Sequence, residues 1–252
     1  MLNVFIPIDF SNTSYSAMSY AIEFQKEFNF KITCMHAFKS EKPRRRVLKF
    51  KNHFPYEYKL KLIKGNLFSS FENYQRENKI DLIIMGTKGA QGIKKLFKGS
   101  NASNLMLQTR IPLLIIPEDT LYEPINKILW ASDYKPMINP NGLDLLKKIA
   151  LNTESSIRIA HVKTSKRKTN SNDKIEKKWE DDYLGRDVKH SFKKIRRSSV
   201  SKGIRFYLKH KDDNNLLVLI RRKHGLFDKI FRKKHSEEFA KSPTLPVMII
   251  HE

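Results

Sequence analysis

The stretch Ile80-Asp81-Leu82-Ile83-Ile84-Met85-Gly86-Thr87-Lys88-Gly89, followed after nine further residues by Gly99-Ser100, decides the fold. Its mostly apolar first half is typical of a buried parallel strand. The glycines that follow permit backbone conformations and close approaches that a Cβ would prevent. A helix that begins just after such a strand presents free N–H groups to an anion. The stretch therefore predicts a phosphate cradle at the end of a strand.

Two common nucleotide-binding motifs do not occur in the sequence: Gly-x-x-x-x-Gly-Lys-Ser/Thr and Gly-x-Gly-x-x-Gly. The pattern that does occur is Gly86-x2-Gly89-x9-Gly99-Ser100, placed between the apolar runs 80–85 and 111–116. This pattern closely resembles the ATP-binding signature of the universal stress protein family. The resemblance implies ATP, with or without Mg, as the ligand. It extends over nearly the whole chain and is most specific in residues 80–116.

The chain repeats its own pattern about halfway along. Residues 4–10 correspond to 128–134, since each is an apolar strand that ends in an aspartate and an aromatic residue. Residues 81–116 align with 215–250 without a gap. The two halves are therefore predicted to be a tandem duplication.

Each half alternates apolar runs with segments of helical period, which predicts the α/β class and a five-stranded parallel sheet with helices on both faces. We expect two tandem adenine-nucleotide-binding-like domains, with an intact nucleotide motif in 1–120 and a degenerate one in 125–252. Members of the universal stress protein family dimerise through their last strands. The resemblance therefore implies that 111–116 and 245–250 pair as an intramolecular pseudo-dimer.

The expected elements can be placed along the sequence. In the first half we expect strands at 2–8, 31–37, 56–63, 80–85 and 111–116, and helices from Ser11 or Ser14 to about Glu27, at 66–78 and at 100–109. The basic segment up to about Phe54 carries no predicted element. In the second half we expect strands near 126–132, 155–162, 188–195, 215–220 and 245–250, and helices near 141–152, 174–184, 199–210 and 235–241. The polar connector is 118–126.

Asp9 ends the first strand, at the edge where open α/β sheets bind ligands. The family resemblance implies that this aspartate helps to hold the adenine-ribose part of the nucleotide, whereas an ordinary helix cap is the alternative. Ala37 and Met85 also stand at strand ends. The resemblance implies that both contact the nucleotide largely through their backbone, but core packing explains them equally well.

The resemblance assigns the phosphates to the glycine loop. Gly86 and Gly89 would present backbone N–H groups to phosphate, or form a plain tight turn. Gly99 and Ser100 complete the motif, and Ser100 can also cap the helix that follows it. Asn101 replaces the small apolar residue that most often follows this pair, which changes the phosphate contacts without blocking a backbone cradle.

The second half does not carry the same motif. Ile220, Lys223, Lys233 and Lys234 align with Gly86, Gly89, Gly99 and Ser100. Long and β-branched side chains fill the space that a phosphate needs and are strained at positive φ. We therefore expect Asp133, the counterpart of Asp9, to be a helix cap or a relic of a former ligand-binding residue. We also expect one nucleotide per chain.

The net charge of +23 is uneven, because the half after residue 124 has 30 basic and 15 acidic side chains. Such a surplus binds nucleic acid or another polyanion by counterion release, or keeps a protein soluble. The basic clusters lie at 163–168, 193–197 and 221–234. Aromatic residues do not alternate regularly with them, so nucleic-acid binding is the less favoured interpretation.

No catalytic constellation or metal-ligand spacing stands out, and the single cysteine, Cys34, is expected to be a buried, inert thiol. No apolar run reaches the ~20 residues of a membrane span, so we expect a cytoplasmic protein that does not bind membranes. Among the candidate functions, a nucleotide-dependent stress-response regulator with an unknown protein partner ranks first. Whether the chain also forms a homodimer is left open. A slow ATPase ranks second, and a polyanion-binding module third.

Overall fold

Strands and helices alternate along the chain in the computed structural model, which describes residues 1–88, 105, 108–118, 120–135, 137, 141–164, 178, 183–210, 215–222 and 245–252. These residues form two compact units, Met1–Tyr122 and Glu123–Glu252. The predicted pairing of the two halves through 111–116 and 245–250 stays a prediction.

The described part of the first unit has five strands and three helices. They are β1 Leu2–Pro7, α1 Asn12–Gln25, β2 Phe30–Phe38, α2 Arg44–His53, β3 Lys59–Lys64, α3 Leu67–Glu77, β4 Leu82–Thr87 and β5 Leu113–Pro117. The strands are parallel, in the order β3-β2-β1-β4-β5. The chain thus moves outward from β1 in one direction and returns to its other side at β4. The strand order reverses between β1 and β4, where sheets of this kind bind ligands.

Helix α1 packs its apolar side into the core of the first unit. Met18, Ala21, Ile22 and Phe24, which follow a helical spacing, are all buried. Ser11 is the N-cap residue and accepts a hydrogen bond from the Ser14 N–H through its side chain. The sequence prediction of this helix is confirmed, including the hydroxyl that caps it.

Helix α2 lies in the basic segment for which the sequence predicted no element. Half of its ten residues are lysine or arginine, and its only fully buried side chain is Phe50. The ring of Phe50 lies 4.9 Å from Phe54, 5.2 Å from Tyr15 and 5.7 Å from Phe10. Aromatic packing therefore holds a helix whose sequence shows little apolar period.

The second unit repeats the topology of the first. Its described elements are β6 Lys127–Ser132, α4 Asn141–Asn152, β7 Ser156–Lys163, β8 His190–Arg196, α5 Val200–His210, β9 Leu216–Arg221 and β10 Val247–His251. Its strands are also parallel, in the order β10-β9-β6-β7-β8. The predicted α/β class with a five-stranded parallel sheet in each half is confirmed. The helices predicted at 100–109, 174–184 and 235–241 lie wholly or largely outside the described residues.

Candidate functional site

The candidate site lies where the strand order of the first unit reverses. Asp9 follows the last residue of β1 by two positions, and Gly86 and Thr87 end the neighbouring strand β4. The carboxyl ends of parallel strands share one edge of a sheet, so these residues face the same crevice. The crevice therefore combines the predicted nucleotide residue Asp9 with the start of the glycine loop.

One oxygen of the Asp9 carboxylate is held by the turn into α1. Oδ1 accepts hydrogen bonds from the Ser11 N–H at 3.0 Å, from the Ser11 hydroxyl, and from the Ser14 hydroxyl at 2.6 Å. The Ser14 hydroxyl oxygen in turn accepts from the Asp9 N–H at 3.0 Å. These bonds fix the carboxylate relative to the first turn of α1.

The surroundings of Asp9 favour its charged form. Partial burial opposes ionisation, but the hydrogen bonds from the side chains of Ser11 and Ser14 and from backbone N–H groups outweigh it and lower the pKa of the carboxyl. The second oxygen, Oδ2, accepts no hydrogen bond from any residue that the structure describes. Asp9 is exposed at the strand end. Asp9 therefore presents an ionised carboxylate at the edge of the crevice.

Asp9 is not itself the N-cap residue of α1, which was the alternative interpretation of this aspartate, but it supports that cap. Ser11 is the N-cap of α1, and Asp9 supports it from the preceding turn. Oδ1 serves this turn, and an ionised carboxylate has a second oxygen that can accept a hydrogen bond from a hydroxyl or an amine.

Phe10 and His36 form a second part of the site edge that the sequence did not predict. Phe10 has a left-handed backbone, with φ of 63°, and its ring centroid lies 4.5 Å from that of His36. Nδ1 of the buried His36 lies 2.8 Å from the Ile8 carbonyl oxygen, which accepts its hydrogen bond. One feature of the sequence could have indicated this contact: an aromatic residue follows the aspartate in both halves.

Gly86 lies inside β4 and pairs with Ile116 of β5. It therefore does not form the tight turn that was the alternative interpretation of this glycine. A Cβ at this position would overlap the backbone carbonyl of Thr13 in α1. The missing side chain therefore lets the first turn of α1, with Ser11 and Ser14, approach the strand.

The other predicted site residues divide into two groups. Met85 is buried in β4 and pairs with Ile115, and Ala37 lies half-buried in β2 opposite Ile63. Both stand at the carboxyl ends of their strands, as predicted, and both also pack within the sheet. Gly89, Gly99, Ser100 and Asn101 lie outside the described residues, so their contact with phosphate stays a prediction.

The corresponding place in the second unit is filled by an ion-pair network. Arg222, which aligns with Lys88, has its guanidinium 3.7 Å from Oδ1 of Asp133 and 2.9 Å from Oε2 of Glu252. Only 13% of the Arg222 side chain is exposed. In the first unit Lys88 is exposed and forms no ion pair with a residue in the described part of the chain.

The aromatic and histidine pair also recurs in the second unit. Tyr134 has φ of 55°, and its ring stacks on His161 at 4.8 Å with an interplanar angle of 12°. Nδ1 of His161 donates to the Ser132 carbonyl oxygen at 3.0 Å. The two units thus share the scaffold of the strand end, while the residues around the aspartate differ.

Comparison with known proteins gives a family match within the first unit. Residues 45–117 match the model of the universal stress protein family. The first unit carries a universal stress protein domain. The resemblance drawn from its glycine motif is thereby confirmed. No curated protein matches the chain.

Solved structures match the whole chain at low identity. A universal stress protein from Archaeoglobus fulgidus is 17% identical with a TM-score of 0.70, covering 99% of this chain and 96% of that chain. A putative universal stress protein from Pseudomonas aeruginosa is 12% identical with a TM-score of 0.61, covering 99% and 92%. The cytoplasmic domain of a prokaryotic cation chloride cotransporter is 10% identical with a TM-score of 0.56, covering 98% and 94%. At these identities the matches show the fold alone.

Three further observations bear on the chemistry of the described residues. Cys34 is buried, as predicted, and burial raises the pKa of its thiol to about 12, which disfavours the reactive thiolate. No group of His, Cys, Asp and Glu side chains in this part of the chain could hold a metal ion. No helix within the described ranges is long and apolar enough to cross a membrane.

Proposed function

We propose that the universal stress protein domain of the first unit binds ATP in the crevice between the ends of β1 and β4, and that the protein acts as a nucleotide-dependent regulator. The main support for this proposal is the carboxylate of Asp9. Its Oδ1 is held by Ser11 and Ser14, and its Oδ2 is left for a ligand at the point where the strand order reverses.

The residues present fit an adenine nucleotide. Oδ2 of Asp9 would accept a hydrogen bond from a ribose hydroxyl or the adenine amine. The strand-end backbone at Ala37 and Met85 would contact the base and ribose. The phosphates would lie toward the segment that begins at Lys88 and includes Gly89, Gly99, Ser100 and Asn101. Any Mg would be held mainly by the phosphates, as is usual for nucleotide-bound Mg.

The second unit supports a stoichiometry of one nucleotide per chain. Lys135 and Ile138 take the sequence positions of Ser11 and Ser14, so the hydroxyls that hold Asp9 have no counterpart there. Arg222 already neutralises Asp133 and is itself paired with Glu252. A phosphate there would compete with an existing ion-pair network.

Isothermal calorimetry of the full chain with ATP tests the proposal, and the duplication supplies a matched control. Asp9→Asn removes the charge at the proposed site, whereas Asp133→Asn makes the same change at the duplicate position. We expect one site per chain in the parent and in Asp133→Asn, and binding at least tenfold weaker in Asp9→Asn. Two sites per chain, or equal affinity in the two variants, would contradict the proposal.

Regulation requires that the bound state differ from the free state in a way that a partner can recognise. Hydrogen exchange of residues 86–101 with and without ATP measures this. Protection that appears with ATP and is lost in Asp9→Asn supports regulation through the loop. Binding of ATP without any change in hydrogen exchange would support the ATP site but would contradict the proposal that the protein is a nucleotide-dependent regulator.

A further inference from the structure

We propose that the second unit binds single-stranded nucleic acid along a basic stripe, formed by Lys202, Arg205, Phe206 and Lys209 of α5 together with Arg197, which precedes that helix. This surface is remote in sequence from the residues assigned to ATP. The inference therefore does not depend on the proposed nucleotide site.

The first observation is the local charge. Residues 189–210 contain eight lysines and arginines and no acidic residue. Charges that serve only solubility are usually of both signs and interspersed. A run of one sign along β8 and α5 produces a local positive field that attracts a polyanion and releases its counterions.

The second observation is the arrangement of these residues on α5. Lys202, Arg205, Phe206 and Lys209 follow the spacing i, i+3, i+4, i+7, which places them on one side of a helix. Lys202, Phe206 and Lys209 are exposed and Arg205 is half-buried. The cations thus form a continuous line about 10 Å long, given a rise of about 1.5 Å per residue.

The opposite side of α5 is the packed side. Ile204, Tyr207 and Leu208 are buried, and Gly203 lies so close to Val162 of β7 that a Cβ would overlap that side chain. The helix is therefore fixed on the sheet, and the basic stripe is the side that it presents to solvent.

The third observation is an aromatic platform within the stripe. The guanidinium carbon of Arg197 lies 3.7 Å from the centroid of the Phe206 ring, and 42% of Phe206 remains exposed. An exposed ring flanked by cations is the combination that single-strand binding proteins use, because any base can stack on it. The guanidinium of Arg197 can serve the same ligand through its phosphate.

Single-stranded nucleic acid fits this surface better than the other polyanions do. A duplex keeps the faces of its bases stacked inside, so it offers nothing to Phe206. An anionic membrane binds helices that insert an apolar face, but the apolar face of α5 is packed against β7. Phosphates with accessible base faces match both the charge and the ring.

Fluorescence anisotropy with a labelled oligouridine of about 20 nucleotides tests the proposal on the full chain. The stripe variant is Lys202→Glu with Arg205→Glu. Its matched control is Arg44→Glu with Arg45→Glu, which makes the same change in net charge on exposed residues of α2. Titrations from about 50 to 200 mM KCl give the salt slope.

We expect the stripe variant to bind at least tenfold more weakly than the parent. The slope of log affinity against log salt should fall by about 1.4, if each cation neutralises one phosphate at about 0.7 per contact. The α2 control should lose less than threefold. Equal losses in the two variants would mean that only total charge matters, and would overturn the proposal, as would an absence of binding at the lowest salt.

Phe206→Ala separates stacking from charge, and it also serves if the double variant does not fold. We expect a loss of affinity of about tenfold with an unchanged salt slope, as for one stacked base. Leu48→Ala, at an exposed apolar residue of α2, is its control. Unchanged affinity in Phe206→Ala, or stripe-dependent binding to phosphatidylserine vesicles without binding to the oligouridine, would contradict the proposal.

Discussion

Arg222 of the second unit lies 3.7 Å from Asp133, whereas Lys88 and Asp9, at the aligned positions of the first unit, form no ion pair. The two units share one topology and differ in the surroundings of their strand-end aspartates. In one unit the carboxylate is engaged by a partly buried arginine, and in the other its hydrogen bonds within the described part of the chain come from the turn that leads into α1. The two strand-end carboxylates therefore lie in different electrostatic surroundings.

Arg222→Ala should destabilise the protein by about 2–4 kcal/mol, because it leaves the nearly buried Glu252 carboxylate without its closest cation. Lys88→Ala, at the aligned exposed position, should change the free energy of unfolding by less than about 0.5 kcal/mol. Urea denaturation of both variants measures the difference. A comparable, small effect in both would mean that the Arg222 network contributes little to stability.

Gly86→Ala should weaken ATP binding by displacing α1. The added Cβ overlaps the Thr13 carbonyl, and overpacking of this kind costs about 1–3 kcal/mol. Ser11 and Ser14 would move with the helix and release Oδ1 of Asp9. Calorimetry with ATP and urea denaturation together report both effects.

Gly142→Ala is the control for this prediction. Its Cβ would meet the side chain of Ile250 in the second unit, and the gain in helix propensity of about 1 kcal/mol offsets part of the cost. The change should leave the affinity for ATP unaltered. An equal loss of affinity in Gly142→Ala would show that the effect of Gly86→Ala is not local to the site.

His251 should make the stability depend on pH. Burial, and then the neighbouring Arg221, lower the pKa of its imidazole from 6.5 to about 3. Between these values the unfolded chain binds the proton and the folded chain does not, so stability is full above pH 6.5 and falls as the pH is lowered. From pH 7 to 4.5 the loss should be roughly 2–3 kcal/mol, at 1.36 kcal/mol per pH unit.

Urea denaturation at the two pH values measures this loss, and His251→Gln should remove most of it. His53→Gln, at an exposed position of α2, should not. Asp9 does not interfere, because its pKa is lowered from 3.8 and its contribution is lost only at lower pH. A parent protein that is equally stable at pH 7 and pH 4.5 would refute the prediction.

The sequence predicted the strands well because each is an apolar run bounded by polar residues, as β4 shows. Strand β3 begins at Lys59, three residues later than expected, since Tyr56 is an exposed aromatic residue before the strand. Helix α2 was missed because only Phe50 of its ten residues is fully buried. Aromatic packing with residues outside the helix holds it in place, and such contacts do not produce a helical pattern of apolar residues in the sequence.

The candidate site was predictable only in part. Asp9 follows from the end of an apolar strand, but the contact of Phe10 with His36 depends on a left-handed aromatic residue, which sequence patterns do not indicate. The Arg222 network was missed because its partner Glu252 lies beyond the aligned segment 215–250. Charge pairs between strand ends depend on side-chain geometry, which the alignment does not contain.

Ser14→Ala gives the most direct test of how the turn prepares Asp9. The substitution removes a donor to Oδ1 and the acceptor of the Asp9 N–H; the Ser14 side chain is buried and both hydrogen bonds are partly buried. We expect a loss of stability of about 1–2 kcal/mol, a rise of the Asp9 pKa toward its ordinary value, and weaker ATP binding. Ser16→Ala, two residues farther along α1, removes a hydroxyl that donates to the Asn12 carbonyl and should change none of these by a comparable amount. Carboxyl titration by NMR and calorimetry with ATP measure the pKa and the affinity. If the affinity stays at the parent value while the pKa rises, the ligand does not use the Asp9 carboxylate, and the crevice at β1 and β4 does not bind the nucleotide through it.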